Sequence, residues 1–494
     1  MRHTIQFQKK EGSLFDQILA DREKAGGTYG TCGGRGACGK CRVRFLSDAP
    51  LPSFADRKFL TPQELREGYR LACMAKPYTD CEVEICFAPE REIRIVTESE
   101  LSAGAERDLR DAGEQGAGGE RDLRNAGNER SVQKADEGGE RDCFCAVDLG
   151  TTTVVMQLIG RRDGRALSTY AFQNPQRAYG IDVLARIAAA ESGKAQALRQ
   201  MLLTELENGL KKLEETGKPQ EIIFSGNTTM GHLLLGYPVS GLGKAPFTPY
   251  HIQTSYFDLS GHPAVFLPGI SAFVGADIVS GVYACGMAEK EELSLFIDLG
   301  TNGEMAVGNR DGILCTATAA GSAFEGGVSA QVMGTDMTAL AADMLKSGVM
   351  DETGLLAEPW FAEGWRRGEL TITQQDIRNL QMAKAAICAG ASLLLERARA
   401  WDRIAHVYLA GGFGYYLDVE KAVAIGLIPR TLCGICAAVG NTSLAGAVRY
   451  GRSQKAAREE ALDRIVRISR PINLAQQPEF EARYIASMAF AEME

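Results

Sequence analysis

A chain of 494 residues has room for more than one domain, each with its own core. Hydrophobic residues make up 45% and charged residues 24%, as in ordinary globular proteins, and no stretch has the continuous apolar length of a membrane helix. The net charge of −9 counts against nucleic-acid binding, and 13 cysteines without a secretory h-region at the start of the chain point to a reducing, cytoplasmic setting rather than to disulfides.

Residues 3–9 (HTIQFQK) and 41–46 (CRVRFL) alternate apolar with polar positions, as half-buried strands do, and LFDQILADREKAG between them has helical spacing ending in glycine. CEVEICF and REIRIVT read as further strands, so residues 1–93 are expected to form a small sheet-and-helix domain. Residues 94–142 change character. ERDLRDAG (106–113) recurs as ERDLRNAG (120–127), and residues 97–142 hold 7 Lys and Arg against 13 Asp and Glu, which is −6 of the total charge. With so few large apolar residues this segment cannot offset its ordering entropy, and it reads as a solvated linker. From 143 onward strand and helix signals alternate, as in α/β domains. DLGTTT (148–153) and DLGTNGE (298–304) each sit between two apolar runs, so one strand–turn–strand device is used twice, as in two related lobes, 143–290 and 291–475; residues 476–494 form a C-terminal tail.

Two groups of residues carry chemistry. Cys32, Cys38 and Cys41 have the spacing C-x5-C-x2-C within CGGRGACGKC, and Cys73 follows in RLACMAK. Three thiolates on one tight loop and a fourth from a distant element can surround a [2Fe–2S] cluster, two sulfurs per iron. Gly33, Gly34, Gly36 and Gly39 let the backbone bend round it and turn N–H groups toward the sulfurs. A zinc site would normally pair two C-x2-C units, and this region has one. Cys81, Cys86, Cys285, Cys315 and Cys388 fall outside the pattern and read as packing, as does the isolated Cys433/Cys436 pair.

The second group has no P-loop. In each DLGT the strand ends on an aspartate, Asp148 or Asp298, and turns at once through Gly150, Thr151 and Thr152, or through Gly300, Thr301, Asn302 and Gly303. Backbone N–H groups and threonine hydroxyls suit phosphate oxygens, and the aspartates make sense if each helps to hold Mg²⁺ against them. Gly411, Gly412 and Gly414 in AGGFG would let backbone lie against an adenosine, or form no more than a helix entry. Asn227 and Thr228, with Thr229, follow the strand EIIF and either line the cleft or cap a helix; Asp277 serves Mg²⁺ or a helix N-terminus; Glu304 either orients a hydrolytic water or is a carboxylate at a strand edge.

The cysteine spacing resembles adrenodoxin-type and bacterial [2Fe–2S] ferredoxins, which implies a β-grasp domain over residues 1–93. The two DLGT turns with AGGFG resemble the phosphate-1, phosphate-2 and adenosine motifs of the acetate kinase, sugar kinase, Hsp70 and actin (ASKHA) superfamily, which implies two ribonuclease-H-like lobes closing over ATP. The combination, with SGNTTMGHLLLG, LPGISAFVGADIVSG and DLGTNGEMAVG, resembles the reductive activators of corrinoid-dependent methyltransferases. That likeness implies an ATP-hydrolysing activase that returns one electron to inactive Co(II), giving Co(I). It also implies a corrinoid protein as partner, a low-potential electron donor and room for a homodimer, with neither nucleic acid nor membrane involved. Relatives with cysteine-rich C-terminal tails differ, since PINLAQQPEFEARYIASMAFAEME has no cysteine. The competing readings are an activator of another low-potential enzyme, a small-molecule kinase with an accessory redox domain, and an electron carrier that binds nucleotide only for regulation.

Overall fold

In a computed structural model the described residues are 2–9, 13–15, 17–18, 36, 39, 41–86, 142–300, 302–320, 334–368 and 370–492. Most of the 94–142 linker, Cys32, Cys38 and Thr301 lie outside them.

The N-terminal part is one four-stranded sheet in the order β1-β4-β2-β3, from β1 (Arg2–Phe7), β2 (Arg42–Phe45), β3 (Tyr69–Leu71) and β4 (Cys81–Cys86). Its inward positions Ile5, Phe7, Val43, Phe45, Val83 and Ile85 alternate with exposed or half-exposed ones and build a small core. The short helix Phe54–Phe59 starts with a capping box in which Ser53 and Asp56 exchange side-chain-to-backbone bonds. Asp56 is buried and also accepts from the Leu71 N–H at 2.7 Å, which pins the helix to β3.

Two six-stranded sheets make up the rest. The first is ordered β7-β6-β5-β8-β10-β9, from β5 (Cys143–Leu149), β6 (Thr153–Gly160), β7 (Ala166–Gln173), β8 (Ile222–Gly226), β9 (Ser255–Leu259) and β10 (His262–Phe266). The second uses β11 (Leu293–Leu299), β12 (Gly303–Asn309) and β13 (Gly312–Thr318). After a hairpin of β14 (Trp365–Arg367) and β15 (Leu370–Ile372) it adds β16 (Ile404–Ala410), β17 (Cys436–Gly440) and β18 (Ser469–Pro471), in the order β17-β16-β11-β12-β13-β18.

Each sheet is an antiparallel three-strand meander followed by two parallel strands on the far side of its first strand. The DLG repeat is thus a repeat of architecture. β5 reads CFCAVDL, buried at six of seven positions, because helices cover the sheet on both sides. Helix Ala195–Glu214 buries Leu198, Leu202, Leu206, Leu210 and Leu213, one stripe at helical spacing.

The helices that follow the last parallel strand of each sheet, Ala276–Ala284 and Thr442–Arg452, pack on each other between the sheets. Residues of both helices and both sheets share one hydrophobic core. At their crossing a Cβ on Gly446 would lie 2.4 Å from the Ser280 carbonyl oxygen, so the helices meet backbone to backbone. Helix Pro478–Ala486 lies on the long helix Gln374–Arg397, Phe490 is fully buried, and Lys384 donates to the Ala489 carbonyl. Burial pushes the Lys384 ammonium down to about 8. Among the described residues no helix is long and apolar enough to cross a membrane.

Candidate functional site

Sheet register brings two of the four predicted cluster cysteines, Cys41 and Cys73, together. Arg42 pairs with Leu71, and on the next rung the Ala72 N–H donates to the Cys41 carbonyl at 2.8 Å, which puts Cys73 beside Cys41. Their Sγ atoms lie 3.2 Å apart, unbridged, with Cys41 buried and Cys73 half-buried. That separation is far outside a disulfide's ~2.05 Å. It suits two thiolates converging on one metal, so the donor set fits an iron of a cluster.

Gly36 and Gly39 have φ of 67° and 66°, the left-handed region. A Cβ on Gly36 would lie 2.8 Å from the Met74 Sδ, and one on Gly39 would lie 2.8 Å from the Phe59 ring. Arg42 fixes the loop from below, donating to the carbonyls of Gly39 and Phe59 at 3.2 and 3.1 Å while pairing with Glu64 at 2.5 Å.

Asp148 lies one residue before the end of β5, and its Oδ2 accepts from Asn441 Nδ2 at 2.8 Å. Asn441 stands just past β17 of the other sheet, so this bond crosses between the lobes. Thr151 is buried, and its hydroxyl oxygen accepts from Asn227 Nδ2 at 2.8 Å. Asn227 also caps helix Thr228–Leu235 through the Met230 N–H at 3.0 Å, so it both caps and lines the cleft. Thr228 donates its hydroxyl to the Ser271 carbonyl.

Asp277 lies in the first turn of helix Ala276–Ala284, close enough to Asp148 to feel its charge. Burial pushes its carboxyl up, and Asp148 adds to the shift, to about 7. A Cβ on Gly275 would lie 2.6 Å from the Asn227 Cα, so this helix start is pressed against that of Thr228–Leu235.

In the second sheet Asp298 pairs in register with Glu304 on β12 and with Ala410 on β16. Glu304 is only 8% exposed and sits on an interior strand, so the reading of it as an edge carboxylate does not hold; β13 covers the side that would have been the edge. A Cβ on Gly303 would lie 1.9 Å from Ile387, which gives that glycine a packing reason at the long helix.

The AGGFG stretch is not an open turn, since helix Gly411–Tyr416 begins directly after β16. Gly411 has φ 79°, and a Cβ there would lie 2.5 Å from Asp298 Oδ1. Ala410 pairs with Gly440, next to Asn441. The chain Asp298, Gly411, Gly440, Asn441, Asp148 therefore joins the sheet ends into one cleft. Gly150, Thr152, Gly300 and Asn302 fall in the two DLG turns, and Gly412 and Gly414 in helix Gly411–Tyr416.

Away from that pair, Cys285, Cys315 and Cys388 are buried and Cys436 is half-buried, as packing residues are. Burial pushes the thiols of Cys285, Cys315 and Cys436 up to about 12, far from thiolate chemistry at neutral pH. Three residues at the cleft are not evident from the motifs: Asn441, Asn174 and Arg186. Asn441 had a signal available, because GNT in SGNTTMG (225–231) recurs in GNTSLAG (440–446). Asn174 and Arg186 had none, for they reach the turn only through the fold.

Residues 3–78 match the 2Fe-2S iron-sulfur cluster binding domain, 144–290 the RACo middle region, and 292–341 and 328–494 the C-terminal domain of RACo, the ASKHA domain. The chain is 30% identical to the corrinoid activation enzyme RamQ of Eubacterium limosum over 425 residues, 70% of each chain. It is 24% identical to the [Co(II) methylated amine-specific corrinoid protein] reductase of Methanosarcina barkeri over 290 residues, 47% of this chain and 52% of that one. A solved reductive activator for corrinoid,iron-sulfur protein superposes with TM-score 0.65 at 26% identity, covering 98% of this chain and 96% of its own. The chain belongs to the family of corrinoid activation enzymes, in which a [2Fe–2S] ferredoxin domain is joined to a RACo middle region and an ASKHA domain.

Proposed function

We propose that this protein reactivates a corrinoid protein by passing one electron from a [2Fe–2S] cluster to its Co(II), with ATP driving the transfer. One observation carries the reading: a ferredoxin-type sheet with two converging thiols shares a chain with a two-lobed body whose paired aspartate turns meet in a single cleft. When bound, the cluster supplies a one-electron store, and plant-type potentials near about −400 mV are too high to reduce Co(II) unaided. A second free-energy source is therefore required. Closure of the lobes round ATP can supply it by changing how the body grips its client.

In this reading Cys32, Cys38, Cys41 and Cys73 hold the cluster. Gly150, Thr151, Thr152, Gly300, Thr301, Asn302 and Gly303 hold phosphates, with Asn227 and Thr228 steadying the first turn. Gly411, Gly412 and Gly414 face the adenosine. Asp148 and Asp298 would hold Mg²⁺, as would Asp277, which lies close enough to Asp148 to feel its charge, so that a shared cation would relieve their repulsion. Glu304, opposite Asp298, would orient the attacking water.

The test is anaerobic. The reduced protein is mixed with a Co(II) corrinoid protein, and the Co(II) and Co(I) absorption bands are followed with and without Mg-ATP. ATP-dependent growth of Co(I) is expected. Cys73→Ala should remove the cluster spectrum and the activity together, whereas Asp298→Ala should keep the spectrum and lose the ATP dependence. ATP consumption that needs a small hydroxyl or carboxylate substrate and no corrinoid would favour the kinase reading.

A further inference from the structure

Between β7 and helix Val183–Ala189 runs a segment with two faces, residues 174–186. Its inner face grips the first DLGT turn from behind. Asn174 Nδ2 donates to the Gly150 carbonyl at 2.9 Å, and the Asn174 backbone N–H donates to the Thr152 carbonyl at 2.9 Å. The Arg186 guanidinium donates to the Thr151 carbonyl between them and, through Nε, to the Gly180 carbonyl at 3.0 Å. Three successive carbonyls of the turn are thus drawn back into this segment. Asn174, Gln176 and Arg186 are each no more than 1% exposed. Gln176 ties the segment to helix Ala195–Glu214 through the Leu198 carbonyl at 3.0 Å.

The outer face belongs to another domain. Ala178 is 2% exposed, and it is buried in the hydrophobic cluster of the N-terminal sheet with Ile5, Phe7, Val43 and Leu71. Met201, from helix Ala195–Glu214, packs on the same cluster; Tyr179 packs on both that core and the core of the first six-stranded sheet. Between the faces lies only the 3-10 turn Pro175–Ala178, closed by bonds from the Arg177 N–H to the Asn174 carbonyl and from the Tyr179 N–H to the Gln176 carbonyl. A turn so short and internally bonded moves as one piece. Ala178 cannot shift without carrying Asn174.

We propose that residues 174–186 link the seat of the ferredoxin domain to the phosphate turn, with Asn174 and Arg186 as positioning residues for the triphosphate. This rests on the nucleotide reading above. Seating the ferredoxin domain braces the segment that holds the turn in shape, so unseating it weakens nucleotide binding. Thermodynamic reciprocity makes bound nucleotide strengthen the seat by the same factor. The electron-carrying domain would then be gripped or released according to the nucleotide in the cleft.

The experiment measures Mg-AMPPNP affinity by equilibrium dialysis on the full, cluster-loaded chain, comparing wild type with Met201→Glu. That substitution disturbs the seat from a different element and leaves residues 174–186 intact. An unchanged cluster spectrum and circular dichroism establish that the variant is folded, and Ala178→Asp is the second variant should it not be. The expected result is a Kd raised at least about fivefold, the lower end of ordinary coupling between sites. In wild type, Mg-AMPPNP should also slow amide exchange in 174–186 and in the strands β1 to β4. A smaller rise, no change or a fall in Kd in a folded variant overturns the link while leaving the nucleotide reading standing. A wild-type chain that binds no nucleotide overturns that reading, and the link with it.

Discussion

Asp298 and Glu304 stand directly opposite each other on β11 and β12, two carboxylates on one face of a sheet. Like charges so placed destabilise a sheet, which is the kind of cost a fold retains for chemistry. Glu304→Gln should therefore raise the urea midpoint, by roughly 0.5 kcal/mol in stability, while ATP hydrolysis falls at least tenfold with the cluster spectrum unchanged. A midpoint that drops would mean that Glu304 is a structural partner instead. At this scale the sequence was legible where a residue acts through its immediate neighbours, as Asn227 does in capping its own helix; Cys41 and Cys73 were legible only through their spacing pattern. It was opaque where a side chain acts at long range. Nothing near Arg186 in sequence says that its guanidinium reaches the Thr151 carbonyl, because only the path of β7 and the following helix brings them together.

Among the elements, helix Lys455–Ile468 shows how the C-terminal part is fastened to the first lobe. Its Arg458 grips Glu221, just before β8, with two bonds of 3.0 and 2.8 Å, and Arg161 joins at 3.0 Å. Burial alone would raise the Glu221 carboxyl, but the guanidinium groups of Arg458 and Arg161 more than offset it and hold it below its ordinary value. A depressed folded pKa contributes stability that is present above the unfolded value and lost as pH falls through the folded one. Glu221→Gln should accordingly cost about 3 kcal/mol at pH 7, and the gap between variant and wild type should narrow below about pH 4. Thermal unfolding at pH 7 and in acid checks both statements. Helix and strand identities followed from periodicity, as in Ala195–Glu214 and β5. AGGFG is the helix entry that was one of its two readings, and Gly411 is required there by the close approach of Asp298. For Glu304 the sequence left two readings open, and the hairpins on both sides of β12, to β11 and to β13, exclude the edge one.

For the molecule as a whole, the repeated DLG turn foretold two matched lobes, and the matching extends to the order of five strands in each sheet, the sixth, β9 or β18, lying at opposite edges. Sequence did not foretell what lies between the lobes. The two central helices touch at Gly446 and Ser280, where a Cβ on the glycine would lie 2.4 Å from the Ser280 carbonyl oxygen and 2.5 Å from its Cβ. Gly446→Val would force them apart, with an expected loss of about 1–3 kcal/mol and a larger proportional loss of ATP-dependent Co(I) formation than of cluster reduction by dithionite. Equal losses in both would mean that the crossing only holds the fold together. The approach is close, and it is also keyed: Arg449 donates to the Tyr283 carbonyl and lies over the Tyr283 ring at 4.2 Å, and the Tyr283 and Ser453 hydroxyls meet at 3.2 Å. The helices are thereby held in register, so a turn of one sheet must carry the helix of the other with it, and the crossing acts as an axle for the arms that bear Asp148 and Asp298.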